Sequence, residues 1–228
     1  MKCKFYSHRL TRITLFLLAV LSLLPSLALS QQSYKSFLEK AQNLDKEEFF
    51  EDAIQYWQKT LEANPPSNII LYTKLKLTNT YSRLGRLDKA VEISQTLTES
   101  NPDHYDSWFH FANALAALQQ YPKAVDAYKK AIILNPEEGL GRVGLAFSYF
   151  GDGKPDSAIE EFRQAKKIFK ANKNIPWYRD CRLAINQIKG FARFPPKFAN
   201  LWLEKNLKRV QDTFENSVLD FEGILEDN

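Results

Sequence analysis

Gln42, Asn79 and Asn113 are carboxamides spaced 37 and 34 residues apart. Each amide carries both a donor and an acceptor. A row of them on one surface can therefore pair with the backbone of an extended peptide without reading its side chains. Tyr72, Leu75 and Phe109 recur beside them and would add apolar contact. That chemistry is reversible binding rather than bond-making. The alternative reading is a solvated helix face that tolerates Asn and Gln. The other reactive residue types do not assemble into a centre. His104 and His110 are the only histidines after the first thirty residues, and their spacing of six is poor for one helix face. No cluster of Cys or carboxylates completes a metal site, and neither G-x-S-x-G nor a phosphate-binding loop occurs. Glu47-Glu48 and Glu160-Glu161 fall at helix starts or on polar faces, where they meet water or oppose the helix dipole. No catalytic residue, cofactor or metal is expected.

The elements that must position the amides are helices. Residues 105–136 read as two amphipathic helices joined by a turn at Gln119-Gln120-Tyr121. Trp108, Phe111, Ala112 and Leu115 fall at helical spacing on the first, and Ala124, Tyr128, Ala131 and Ile132 on the second. Pro136 ends the second, because it cannot continue the backbone ladder. The pattern then repeats. Ala90, Ala124 and Ala158 are 34 apart, and Ala53 lies 37 before Ala90. The three extra residues fall in the Pro65-Pro66-Ser67-Asn68 loop, where an insertion costs little. Ala41, Thr78, Ala112 and Ala146 form a second small set, and Thr60, Leu97, Ala131 and Ala165 a third with one large member. Small residues recur because two helices cross closely only where no large side chain separates them. Leu44, Tyr81, Leu115 and Tyr149 on first helices, with Trp57, Tyr128 and Phe162 on second helices, would fill the gaps between units; Ser94 departs from that set. Pro65, Pro102 and Pro136 close three units, while Lys170 stands in the fourth. Gly85 and Gly153 supply two of the turns, and Glu48 and Gln119 stand in the others.

These residues resemble the tetratricopeptide repeat family, whose pattern is W-x₂-L-G-x₂-Y…A-x₃-F…P. The stretch 105–136 gives Trp108-x₂-Phe111-Ala112-x₂-Leu115…Ala124-x₃-Tyr128…Pro136. Four units in register are expected, at about 34–67, 71–104, 105–138 and 139–171, within an array over 31–171. The resemblance implies an all-α fold: a right-handed α-solenoid of about four helix pairs whose first helices line a concave surface for peptides or proteins. Each unit touches only its neighbours, which leaves the curved face for a ligand. The expected lining is Lys35, Leu38 and Gln42; Tyr72, Leu75 and Asn79; Asp106, Phe109 and Asn113; and Leu140, Val143, Phe147 and Phe150. Gln42, Tyr72, Leu75, Asn79, Phe109 and Asn113 are its candidate partner-binding residues. Some members of the family clamp a terminal carboxylate with cationic residues. Here Leu38 and Phe109 stand where such residues would serve, and Lys76 is not matched in the other units, so no clamp is expected.

The ends of the chain read differently. Lys2, Lys4, Arg9 and Arg12 precede the apolar run Ile13–Leu23, Pro25 breaks it, and Ala28-x-Ser30 follows. That order predicts a secretory signal peptide over 1–30 and a periplasmic or secreted protein cleaved near Ser30; an uncleaved membrane anchor is the alternative. Setting those four cations aside leaves 27 basic against 27 acidic residues, so bulk charge makes no case for nucleic acid. Cys181 is then the only cysteine, and a buried inert thiol is the expectation. Residues 172–228 read as a helical cap over 176–190 followed by a long helix from Lys197. The cap carries Trp177, Cys181, Leu183 or Ala184, Ile185 and Ile188 on its apolar face. The long helix carries Ala199, Leu203, Leu207, Val210, Phe214, Val218, Phe221 and Leu225 at spacings of three and four. This stripe would fold back, covering the apolar fourth unit, or pair with a second copy as a coiled coil. The function read from the sequence is thus a non-catalytic protein-interaction scaffold. Its alternative is a structural or assembly protein that self-associates, or sits at a membrane surface, through the C-terminal helix.

One substitution tests the close crossing that the alanine sets predict. Ala124→Leu should overpack it and lower stability by roughly 1–3 kcal/mol, read from the urea midpoint; an unchanged midpoint would place Ala124 away from a crossing.

Overall fold

A computed structural model of the chain describes residues 34–191 and 196–218. The expected signal segment, and Phe221 and Leu225 of the last stripe, lie outside the described residues. Among the described residues there are ten helices and no strand. They are α1 (34–46), α2 (Phe50–Glu62), α3 (Ser67–Arg83), α4 (Leu87–Ser100), α5 (Tyr105–Ala117) and α6 (Tyr121–Leu134). α7 (Gly139–Gly151), α8 (Pro155–Ala171), α9 (Ile175–Phe191) and α10 (Pro196–Val218) follow. The fold is all-α, as the repeat pattern predicts. The chain divides into two compact units, Met1–Thr73 and Lys74–Asn228, with the boundary inside α3.

In the first unit, Ala41 of α1 and Ala53 of α2 are fully buried. Phe37 on α1 meets Tyr56 on α2, with centroids 6.5 Å apart. Trp57 is enclosed as well and meets Tyr72 edge-on at 6.0 Å. In the second unit the small residues behave alike. Ala90, Ala112, Ala124, Ala131, Ala146, Ala158 and Ala165 have no exposed surface. Tyr128 and Phe162 fill the spaces beside them. Ser94, the departure from that aromatic set, is buried and donates to its own helix at Ala90 O, 2.6 Å away, so its hydroxyl is satisfied locally.

The turns between paired helices share one backbone device. Glu48, Gly85, Gln119 and Gly153 all lie at positive φ, between 59° and 73°. In each case the next amide reaches back to the carbonyl five residues earlier: Phe49 to Leu44, Arg86 to Tyr81, Gln120 to Leu115 and Lys154 to Tyr149, at 2.8–2.9 Å. This is the left-handed helix terminus that glycine accepts freely. Glu48 and Gln119 adopt it without glycine's freedom. The second helices end as their prolines dictate. α4 and α6 each run for 14 residues, whereas α8, which has Lys170 at the corresponding place, runs for 17.

Gly139, Gly141 and Gly144 spell a literal G-x-G-x-x-G, yet they lie inside α7 with no strand before them. Their purpose is close approach. A Cβ on Gly139 would stand 2.5 Å from the Phe169 ring, and one on Gly144 would stand 2.3 Å from the Tyr128 ring. α9 then packs on α8 with Trp177, Cys181, Ala184, Ile185 and Ile188 buried. Leu183 is 51% exposed, so Ala184 is the core member of that pair. α10 returns to pack against α5 and α7.

Gly144→Ala should therefore push a methyl group into a buried tyrosine and lower stability by roughly 1–3 kcal/mol. Gly190→Ala, a helical position with nothing within 4 Å of the added carbon, should be neutral or stabilising. Equal urea midpoints for the two variants would contradict this packing.

Candidate functional site

The face that the first helices present in the second unit is not open. α10 lies along it. Its residues Leu203, Leu207, Val210 and Phe214, at helical spacings of four, three and four, are all buried. Phe214 has no exposed surface, and its ring centroid is 3.9 Å from that of Phe109. Tyr105 and His110 of α5 flank the same ring at 5.8 and 5.6 Å. At the other end Trp202 meets Phe147 and Phe150 of α7 at 5.3 and 5.5 Å, and Phe191 of α9 at 4.9 Å. Its indole N–H donates to Gln187 Oε1 at 2.9 Å. The apolar stripe of the fourth unit is thus covered by the chain itself, and Leu203, Leu207, Val210 and Phe214 of the α10 stripe are buried within one molecule.

A polar row runs beside this apolar contact. Lys76, Asn79 and Arg83 lie at helical intervals on the later half of α3. Each meets a residue of α10. Lys76 Nζ is 3.0 Å from Glu215 Oε2, Gln211 Nε2 donates to Asn79 Oδ1 at 2.7 Å, and Arg83 Nη2 is 3.6 Å from Asp212 Oδ1. The Lys76–Glu215 pair has side-chain exposures of only 14% and 3%, so both charges are largely removed from water. Lys76 does hold a carboxylate here, one supplied from within the chain.

The residues expected to bind a partner are placed as follows. In the first unit, Tyr72 is buried, and its hydroxyl accepts from Gln42 Nε2 at 3.2 Å. In the second, Leu75, Asn79, Phe109 and Asn113 are all buried. Asn79 and Phe109 touch α10 directly. Asn113 Oδ1 accepts from the Tyr128 hydroxyl at 2.5 Å, which ties α5 to α6. The three equivalent amides therefore bind three different side chains. Lys76, His110 and Glu215 lie outside the expected partner-binding set. Lys76 and His110, on the first helices, share a repeat register 34 apart, where Gly144 follows, whereas Glu215 carries no such signal.

His110 is buried at 1% exposure, with Nε2 3.4 Å from Glu215 Oε1. Burial pulls its pKa down to about 4, Asp106 opposes this, and Lys76 and His104 reinforce it. The imidazole is neutral at pH 7, and neither ring nitrogen has a hydrogen-bond partner. Asp106 is shifted the other way, raised by burial. Cys181 is a buried free thiol whose pKa is pushed up to about 12, chiefly by burial and next by Asp180, which makes it a poor nucleophile. It lies beneath a small cleft between α9 and α10, where Arg209 pairs with Asp180 at 3.1 Å and covers the Trp177 ring at 4.5 Å. Among the described residues no group of His, Cys, Asp or Glu could hold a metal, and no helix is long and apolar enough to cross a membrane.

Residues 75–139 and 111–172 match the family model described as tetratricopeptide repeat. The chain is 26% identical over 96 residues to the small glutamine-rich tetratricopeptide repeat-containing protein 2 of Mycosarcoma maydis, covering 42% of this chain and 26% of that protein. It is 24% identical over 191 residues to the peroxisomal targeting signal receptor of Pichia angusta, covering 76% of this chain and 32% of that protein. The chain thus spans about a quarter to a third of these relatives' lengths. Among solved structures, MamA superposes with a TM-score of 0.57 at 22% identity, covering 82% of this chain and 97% of that one. YrrB, described as a TPR protein with an unusual peptide-binding site, gives 0.52 at 17% identity, covering 60% and 69%. At these identities the likeness establishes the fold.

The neutral His110 makes stability depend on pH. Below its ordinary value of 6.5 the unfolded chain takes up a proton that the folded chain refuses until about pH 4. Stability contributed by this residue is therefore complete above pH 6.5 and lost as pH falls to about 4, by roughly 3 kcal/mol. The raised Asp106 acts in the opposite sense at the acid end, since protonation there favours the folded form. Urea midpoints between pH 7 and 4 should fall more steeply for the parent than for His110→Gln; parallel slopes would show that His110 is not the group responsible.

Proposed function

We propose that this chain, whose residues 75–139 and 111–172 match the tetratricopeptide repeat model, is a non-catalytic interaction scaffold of an exported compartment. It takes a protein or peptide on the face made by α5, α7 and the later half of α3. One observation carries this reading: the face already grips a segment of polypeptide. It encloses Phe214 completely and pairs Asn79 and Lys76 with side chains of that segment. A surface that binds one chain by aromatic anchors and buried polar pairs has the make-up of a recognition site. The basic, apolar, small-residue order of the first thirty residues supports export.

A second reading draws on the outer side of α10. Phe198 and Leu201 are 58% and 56% exposed, and Lys205 and Lys208 continue the same helical stripe in water. Apolar residues bordered by lysines suit contact with an anionic membrane surface. Phe198→Ala with Leu201→Ala should then abolish flotation on anionic vesicles; undiminished flotation would end that reading.

For the scaffold, immobilised mature chain should capture its partner from the native envelope, and Asn79→Ala should reduce that capture at least tenfold. The single lost hydrogen bond should lower the thermal midpoint by only a few degrees. Equal capture by parent and variant would remove this face as the binding site.

A further inference from the structure

The geometry points to an amphipathic helix of another protein as the ligand of this face, with α10 as its resident competitor. The inference rests on the face being a binding site, as proposed above, and specifies the chemistry of what it binds.

The seat reads the side chains of a helix. A helix satisfies its own backbone internally, so a ladder of amides has no strand-like backbone to pair with. In keeping with this, Asn79 takes the side chain of Gln211. Phe109 takes the ring of Phe214. An extended peptide would present alternate residues to the surface, whereas the seated residues 203, 207, 210 and 214 follow helical periodicity.

The seat also has an order. Four apolar positions at intervals of four, three and four run along α5 and α7. An amide follows the third and a carboxylate follows the fourth, facing Asn79 and Lys76. A second carboxylate, at the position of Asp212, faces Arg83. The matching ligand is therefore a helix with an apolar stripe that ends in an aromatic residue followed directly by an acid.

α10 fits this seat imperfectly. His110 is enclosed beneath Phe214 with both ring nitrogens lacking a hydrogen-bond partner, although the Glu215 carboxylate is 3.4 Å away. A buried polar atom left unpaired weakens the association that encloses it. A helix that aligns an acceptor or donor with His110 gains what α10 forgoes. α10 in turn lowers the apparent affinity for any such ligand by the fraction of time it is seated.

The test uses the full chain and a fluorescent synthetic peptide with the sequence of residues 196–218. Phe214→Ala in the chain should bind this peptide at least tenfold more tightly than the parent does. Glu215→Gln, which leaves the apolar stripe intact, should shift binding the same way and serves if Phe214→Ala unfolds, as judged by circular dichroism. Lys76→Glu, placed on the Glu215→Gln chain, should weaken binding at least tenfold, and a peptide carrying Glu215→Lys should recover it. No gain in a folded variant, or equal binding of a scrambled peptide, overturns the inference. Dimers of the variants in sedimentation without peptide also overturn it, assigning the seat to α10 of a second copy. If the peptide fails while Asn79-dependent capture persists, the binding face stands and only its helical ligand is lost. If Asn79 dependence fails too, the face itself is wrong.

Discussion

Everything in the second unit depends on helices crossing at a distance only a methyl group or less allows. Seven alanines there are wholly shielded from solvent, and Gly144 presses against a tyrosine ring that has no room to move. Because packed interiors tolerate neither voids nor surplus volume, these crossings fix where each first helix points. They hold Tyr105, Phe109 and His110 along one side of α5. Tyr128 reinforces the arrangement, filling the gap beside Gly144 and bonding Asn113 through its hydroxyl. A residue that reads as a binding amide is thus part of the frame.

The contact between α10 and the repeats has a mixed character. Its apolar half would suit a permanent core, with Phe214, Val210 and Leu203 enclosed. Its polar half sets a lysine, an arginine, two carboxylates and two amides against one another. A cap that merely hid the last repeat would need only the first half, and α9 already supplies one with Trp177, Ile185 and Ile188 on α8.

Much of the fold could be read in advance because it is written at short range. The 34-residue spacing of Ala90, Ala124 and Ala158 and the turn positions at Glu48, Gly85, Gln119 and Gly153 are local signals; the alanines map onto buried contacts and the turn positions onto left-handed backbone. The folding back of the last helix could be anticipated too, since Leu140, Val143, Phe147 and Phe150 needed a cover. The site was less accessible. Asn79 and Asn113 occupy the same repeat position, yet one meets α10 and the other Tyr128. Repeat register cannot separate them, because the difference comes from partners 132 and 15 residues away. The pairing of Lys76 with Glu215 is hidden for the same reason: they lie 139 residues apart, and neither is unusual until the other is placed beside it.

Three of the four tryptophans are distributed in a way that makes the molecule self-reporting. Trp57 sits sealed in the first unit. Trp202 rides on α10 among three aromatic rings, and Trp177 lies under a guanidinium from that same helix. If α10 left its seat, one indole would enter water and another would lose its cationic lid, while Trp57 would glow on unaltered. Emission colour alone, without any dye, would then distinguish a molecule whose groove is filled by its own tail from one whose groove has been vacated.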